Sequence, residues 1–246
     1  MKTVDIFIKS YSKDFKLLYY SLKSLTKFVT GYNKILLLIP EDEKYLFDIN
    51  GLPERTEIHY VKEYGDKYLL QQWFKVSAYK YSQADFILFS DSDVIFDHEV
   101  NVMDYVSNDT PQILYTHYDK VGPAIIWKQC TETFLNTKIE FEFMRRLQLI
   151  YHRETLVKIS EMYQNLEYSL MNSGHFSEFN FIGAWAFINE KDKYSFVNTD
   201  NWNYVPPMGI QLWSRADKNG DQHHRDEYKR SIDTINSVLE LNLSDL

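Results

Sequence analysis

Residues 86–96 read Phe86-Ile87-Leu88-Phe89-Ser90-Asp91-Ser92-Asp93-Val94-Ile95-Phe96. Four consecutive apolar residues between polar neighbours predict a short strand covered on both faces, as in a parallel sheet flanked by helices. That strand delivers two carboxylates at its end. If the pleat continues through the motif, alternate residues share a face, so Asp91 and Asp93 point the same way and repel each other unless neutralised. A divalent cation removes the conflict, which makes a metal site the expectation. A bare Asp-x-Asp also occurs by chance as a turn cap, and the preceding apolar strand is what gives it context.

Outward from this stretch, the N-terminal side alternates strand and helix. Val4 to Ile8 is an apolar strand, followed by the polar loop Ser10-Tyr11-Ser12-Lys13-Asp14 and by Leu18, Leu22 and Leu25 at helical spacing. Lys34 to Pro40 is a second strand, apolar throughout at 35–39, and 41–49 reads as helical. Glu57 to Val61 is a third strand, and Tyr68 to Tyr81 a helix with Leu70, Trp73, Phe74 and Ser77 on one side. Asp85 to Phe89 is then the fourth. Such an order predicts an α/β, Rossmann-like sheet that binds ligands beyond the carboxyl ends of its strands, where the Asp-Ser-Asp motif stands.

Beyond residue 110 the pattern loosens into an α+β half. Gln112 to Tyr115 reads as a strand, 116–130 as a loop around Gly122-Pro123, and Leu156, Ile159, Tyr163 and Leu166 as one helix. Phe181 to Ile188 reads as a strand, Tyr204-Val205-Pro206-Pro207 as a break, and Tyr228, Ile232, Ile235 and Leu239 as a C-terminal amphipathic helix. A chain of 246 residues can bury a large core. It is read as one domain over 1–246, with a regular half at 1–110 and a looser half at 111–246.

A net charge of -8 argues against a surface that is wholly an electrostatic nucleic-acid binder, although a local basic groove is compatible with it. Cys130 is the only cysteine, so no intrachain disulfide forms and the thiol is read as structural or incidental. The first residues lack the apolar stretch of a signal peptide, and no later window is apolar enough to span a bilayer; the expectation is a soluble cytoplasmic protein.

A nucleotide-binding α/β half, an acidic motif closing its fourth strand and a less regular second half resemble the glycosyltransferases of the GT-A fold. The segment Ser177-Glu178-Phe179-Asn180 and the start Val4-Asp5-Ile6-Phe7-Ile8-Lys9-Ser10-Tyr11 are similar to uncharacterised GT-A-like bacterial proteins, a likeness that extends over most of the chain. The resemblance implies that Asp91 and Asp93 hold Mn2+ or Mg2+ against the diphosphate of a nucleotide sugar, a UDP-sugar first, with Asp91 and Ser92 also touching the nucleotide. It implies a further histidine ligand near the C-terminus. His223-His224 supplies two, of which His223 is preferred, and a solvated pair introducing the last helix is the competing reading.

Lys9, Ser10 and Tyr11 stand where GT-A enzymes hold base and ribose, while Asp14 is read as capping the first helix. Gln71 and Lys75, four apart, share a polar helix face that either reaches the nucleotide or faces solvent. Glu178 is the candidate general base of an inverting transfer, against an ion pair or a cap, and Asn180 orients the sugar. Trp213 walls the sugar or acceptor, and Arg145-Arg146 either bind pyrophosphate or pair with Glu140 or Glu142. The acceptor implied first is a bacterial surface glycan; a hydroxymethylated base in viral DNA, extruded into a pocket, is the alternative. A nucleotidyltransferase is disfavoured by the absence of a Gly-rich phosphate loop, and a non-catalytic sugar-binding module is the third class.

Overall fold

The structure is a computed structural model that describes residues 2–47, 51–145, 149–200, 207–212 and 220–245. It is a mixed α/β fold built on a five-stranded sheet. Strands β1 (Val4–Lys9), β3 (Ile35–Pro40), β4 (Thr56–Val61) and β5 (Phe86–Phe89) run parallel, and β10 (Leu149–His152) adds to β5 antiparallel, giving the order β10-β5-β1-β3-β4. The chain builds from β1 through β3 to β4 in one direction, then returns to place β5 on the other side of β1. That reversal makes the ends of β1 and β5 the switch point of the sheet, the place where such folds form their ligand crevice.

Both faces of the sheet are apolar because both are covered. Val4, Ile6 and Ile8 pack with Leu18, Leu22 and Leu25 of helix α1 (Phe15–Phe28). Phe7, Leu36, Leu38, Ile87 and Phe89 face the opposite way, onto Leu70 and Phe74 of helix α2 (Lys67–Val76) and onto helices α4 (Arg153–Met162) and α6 (Glu178–Asn189). Asp66 starts α2 by accepting hydrogen bonds from the Tyr68 and Leu69 amides at 2.8 and 3.1 Å. At the far edge of the sheet, β4 is half-buried and carries Glu57, which pairs with Lys34 of the loop before β3 and with His59.

The remaining strands are short. The ribbons β2 (Val29–Thr30) with β7 (Val100–Asn101), and β6 (Val94–Ile95) with β12 (Ile210–Gln211), brace the flanks. A second sheet joins β11 (Ser195–Asn198), β8 (Gln112–His117) and β9 (Phe141–Glu142). Helices α3 (Ile126–Leu135) and α5 (Leu166–Met171) pack around α6 and α2, and α7 (Gln222–Leu239) lies against α1.

Four sequence expectations need correction. Residues 181–188 are not a strand but the interior of α6, whose residues 178–186 are all buried; a helix enclosed on every side has no polar face and so no helical period to read. The segment 116–130 is not an open loop: β8 runs on to His117, two 3-10 turns follow, and α3 begins at Ile126. The helix marked by Leu156, Ile159, Tyr163 and Leu166 is two, breaking at Tyr163. Finally, β5 ends at Phe89 and Asp91-Ser92-Asp93 form a turn, so strand alternation does not set where the two carboxylates point.

Gly183 is what lets α6 approach its neighbour. A Cβ there would lie 2.5 Å from Phe143 Cβ and 2.8 Å from its Cγ, and Phe143 is itself fully buried. Alanine in a helix ordinarily gains about 1 kcal/mol over glycine, whereas overpacking a close contact costs about 1–3 kcal/mol. Gly183→Ala should therefore lower the urea midpoint of unfolding; an unchanged or higher midpoint would show that Phe143 yields.

Candidate functional site

The crevice between β1 and β5 gathers side chains from four parts of the chain. β1 ends in Lys9 and Ser10, both buried, followed by half-buried Tyr11. Lys9 Nζ donates to Glu63 Oε1 and to the Ser10 carbonyl, each at 2.8 Å. Burial pulls its pKa down, and the Glu63 partnership opposes that pull.

Asp14 does not cap α1. The chain enters α1 through a 3-10 turn, and Glu43, not Ser12 or Asp14, satisfies the exposed amide at its start, that of Ser12, at 2.6 Å. Asp14 instead turns inward, is buried, and accepts a hydrogen bond from the Ser92 hydroxyl at 3.1 Å, tying the end of β1 to the Asp-Ser-Asp turn. Burial first, and the charge of Asp91 in addition, push its carboxyl up from 3.8 to about 6, against the lowering effect of the Ser92 bond. Its other oxygen, Oδ1, and the Ser10 hydroxyl are buried without a hydrogen-bond partner among the described residues. The Tyr11 phenol lies close enough to Asp14 and Asp93 for burial and both charges to raise its pKa.

Behind the turn stands Lys75, 4% exposed, its ammonium 2.8 Å from Asp91 Oδ1 and 2.9 Å from Glu178 Oε1 and 4.7 Å from the Phe179 ring centre. Burial would lower its pKa, but the two carboxylates reverse this and hold it firmly protonated. The face of α2 that bears Lys75 is thus turned into the site and not to solvent. Gln71, one turn earlier, is half-buried. Glu178 is the first residue of α6, where the helix dipole also favours a negative charge. One cation therefore joins the acidic motif to the candidate base.

The other expected site residues that are described make contacts of their own. Asn180 is fully buried, its carbonyl oxygen accepting the Phe143 amide at 2.8 Å and its nitrogen donating to the Ser177 hydroxyl at 2.9 Å, which supports the start of α6. His223 is exposed in the first turn of α7 and pairs with Glu227 at 3.3 Å, while His224 pairs with Asp221 at 2.9 Å. Arg145 pairs with buried Glu142, as its structural reading has it. Trp213 and Arg146 lie outside the described residues. Sequence reading missed Asp14 and Glu63 as members of the crevice, as well as Tyr68, an exposed aromatic whose phenol is acted on by the charges of Glu178, Lys75 and Asp91.

Among the described residues, no group of three or more His, Cys, Asp and Glu side chains is gathered closely enough to form a complete metal cage. The donors at the turn, Asp91 and Asp93, are hard carboxylate oxygens. A magnesium-like ion held by one or two carboxylates, with substrate phosphates and water completing its shell, fits such a set. No helix among the described residues is long and apolar enough to cross a membrane. No protein-family model and no curated protein matches the chain.

Two variants test these electrostatics. Lys75→Met leaves Asp91 and Glu178 without their buried partner and should cost about 3 kcal/mol in urea unfolding at pH 7; a loss under 1 kcal/mol would mean that water already screens the triad. Asp14 works in the opposite sense. Its native pKa lies above the unfolded value, so ionisation costs native stability as pH rises from about 4 to above 6, and nothing below that window. In metal-free buffer, Asp14→Asn should be on the order of 2 kcal/mol more stable than the parent at pH 8, the gain vanishing by pH 3.5.

Proposed function

We propose that this chain is a metal-dependent glycosyltransferase of GT-A-like fold, moving a sugar from a nucleotide diphosphate donor, a UDP-sugar first, to a hydroxyl acceptor. One observation carries the reading. The Asp91-Ser92-Asp93 turn leaves β5 at the point where strand order reverses and is joined through Ser92 to Asp14 beyond β1, while Lys75 links it to Glu178.

In this reading the β1 side of the crevice receives the nucleoside. Tyr11 offers a ring face to the base, Lys9 closes the end of the strand, and the Ser10 hydroxyl and Asp14 Oδ1 are polar atoms that a ribose or base edge would satisfy. Gln71 and Lys75 line the diphosphate side. Asp93 and Asp91 would hold Mn2+ or Mg2+. When bound, that ion stabilises negative charge on the departing nucleoside diphosphate as a Lewis acid.

Glu178 takes the proton of the acceptor hydroxyl as the new glycosidic bond forms and the bond from sugar to phosphate breaks, so the products are glycoside, nucleoside diphosphate and a protonated Glu178. Attack opposite the leaving group inverts the anomeric centre. Lys75 holds the Glu178 carboxylate through Oε1.

A panel of nucleotide sugars, assayed for manganese-dependent hydrolysis, should single out one donor. Asp93→Ala should abolish turnover while leaving the unfolding midpoint within a few degrees of the parent; undiminished turnover would remove the motif from the reaction. Glu178→Gln should reduce transfer at least a hundredfold with little change in donor affinity by calorimetry, and equal losses in both would make Glu178 a structural partner of Lys75.

A further inference from the structure

A cleft of about 560 Å³ lies between one face of α3 and the segment that leads into α6. Trp127, Gln129, Cys130 and Thr133 line it from α3, and Ser173 and His175 close the other side. This volume falls within the range of small-ligand sites, roughly 300–1,000 Å³.

The cleft is tied to the crevice by both of its walls. His175 stands three residues before Glu178, and Phe134 of α3 packs its ring 4.8 Å from that of Phe176, fixing α3 against the start of α6. Tyr68 belongs to α2, which packs against α6 as α3 does, and its exposed phenol feels the charges of Glu178, Lys75 and Asp91.

The lining has a distinct chemistry. It holds an indole, a phenyl ring, an isoleucine, a thiol, an amide, two hydroxyls and an imidazole, and no Lys, Arg, Asp or Glu. A DNA strand needs cations for its phosphates, and none lines this cleft. An uncharged ligand with apolar C–H faces and many hydroxyls matches an aromatic wall flanked by neutral donors and acceptors. Resting on the glycosyl-transfer reading above, we infer that this cleft is the acceptor subsite and that its occupant is a neutral carbohydrate, stacked on Trp127 with one hydroxyl directed toward Glu178.

The test uses the full chain and two separate ligands. Methyl hexosides, methyl N-acetylhexosaminides and their disaccharides are titrated by saturation-transfer NMR, and UDP with Mn2+ is titrated by calorimetry. At least one carbohydrate should bind the parent. Trp127→Ala should weaken it tenfold or more, Trp127→Phe should retain most of the affinity, and UDP binding should be the same in all three proteins. Binding of no carbohydrate, or binding untouched by Trp127→Ala, overturns the subsite even if a nucleotide sugar is hydrolysed. Preferential binding of hydroxymethyldeoxycytidine at Trp127 overturns the carbohydrate assignment. Carbohydrate binding that depends on Trp127, in a protein that turns over no nucleotide sugar, supports the subsite and rejects the donor reading instead.

Discussion

The site depends on one buried ammonium. Lys75 reaches it from α2 and meets Asp91 and Glu178, which are 16 and 103 residues away along the chain. Buried Glu178 would not be tolerated unpaired in such surroundings, and the buried lysine would not be tolerated without its carboxylates. The charge thereby fixes the relative positions of the turn after β5 and the start of α6. Much of the second half of the chain serves this placement: Asn180 secures the first turn of α6 to the Phe143 backbone, and Gly183 allows the helix to close on Phe143.

The parallel sheet is legible in the sequence because each of its strands is an apolar run at places such as 35–39 and 86–89, where no face needs to be polar. The same property hides α6. Phe179, Phe181, Ile182, Ala184, Trp185 and Ala186 are all interior, and an apolar run without period looks the same as a strand or as an enclosed helix. Length was the usable signal: twelve residues is long for a strand and ordinary for a helix.

At the site, Asp91, Asp93, Lys9, Ser10, Tyr11, Lys75 and Glu178 could be nominated from position, since each lies at a strand end or on a helix next to one. Their pairing could not. Lys75 has the spacing of a solvent-facing residue relative to Gln71, and only the fold brings α6 over it. Asp14 sits where a cap is expected, yet the 3-10 turn before α1 rotates it inward to Ser92. Hydrogen bonds between residues 78 positions apart leave no trace in local pattern.

The far edge of the main sheet has a bearing on assembly. A sheet that ends in a flat apolar strand invites another chain to add to it, and β4 is built otherwise: alongside β3 it carries Glu57, braced by Lys34 and His59, and it is only half-buried. The opposite edge is the buried strand β10. Growth of the sheet from one copy into the next is disfavoured at β4 by charge and at β10 by cover. Self-association by continuation of the main sheet is thereby disfavoured at both of its edges.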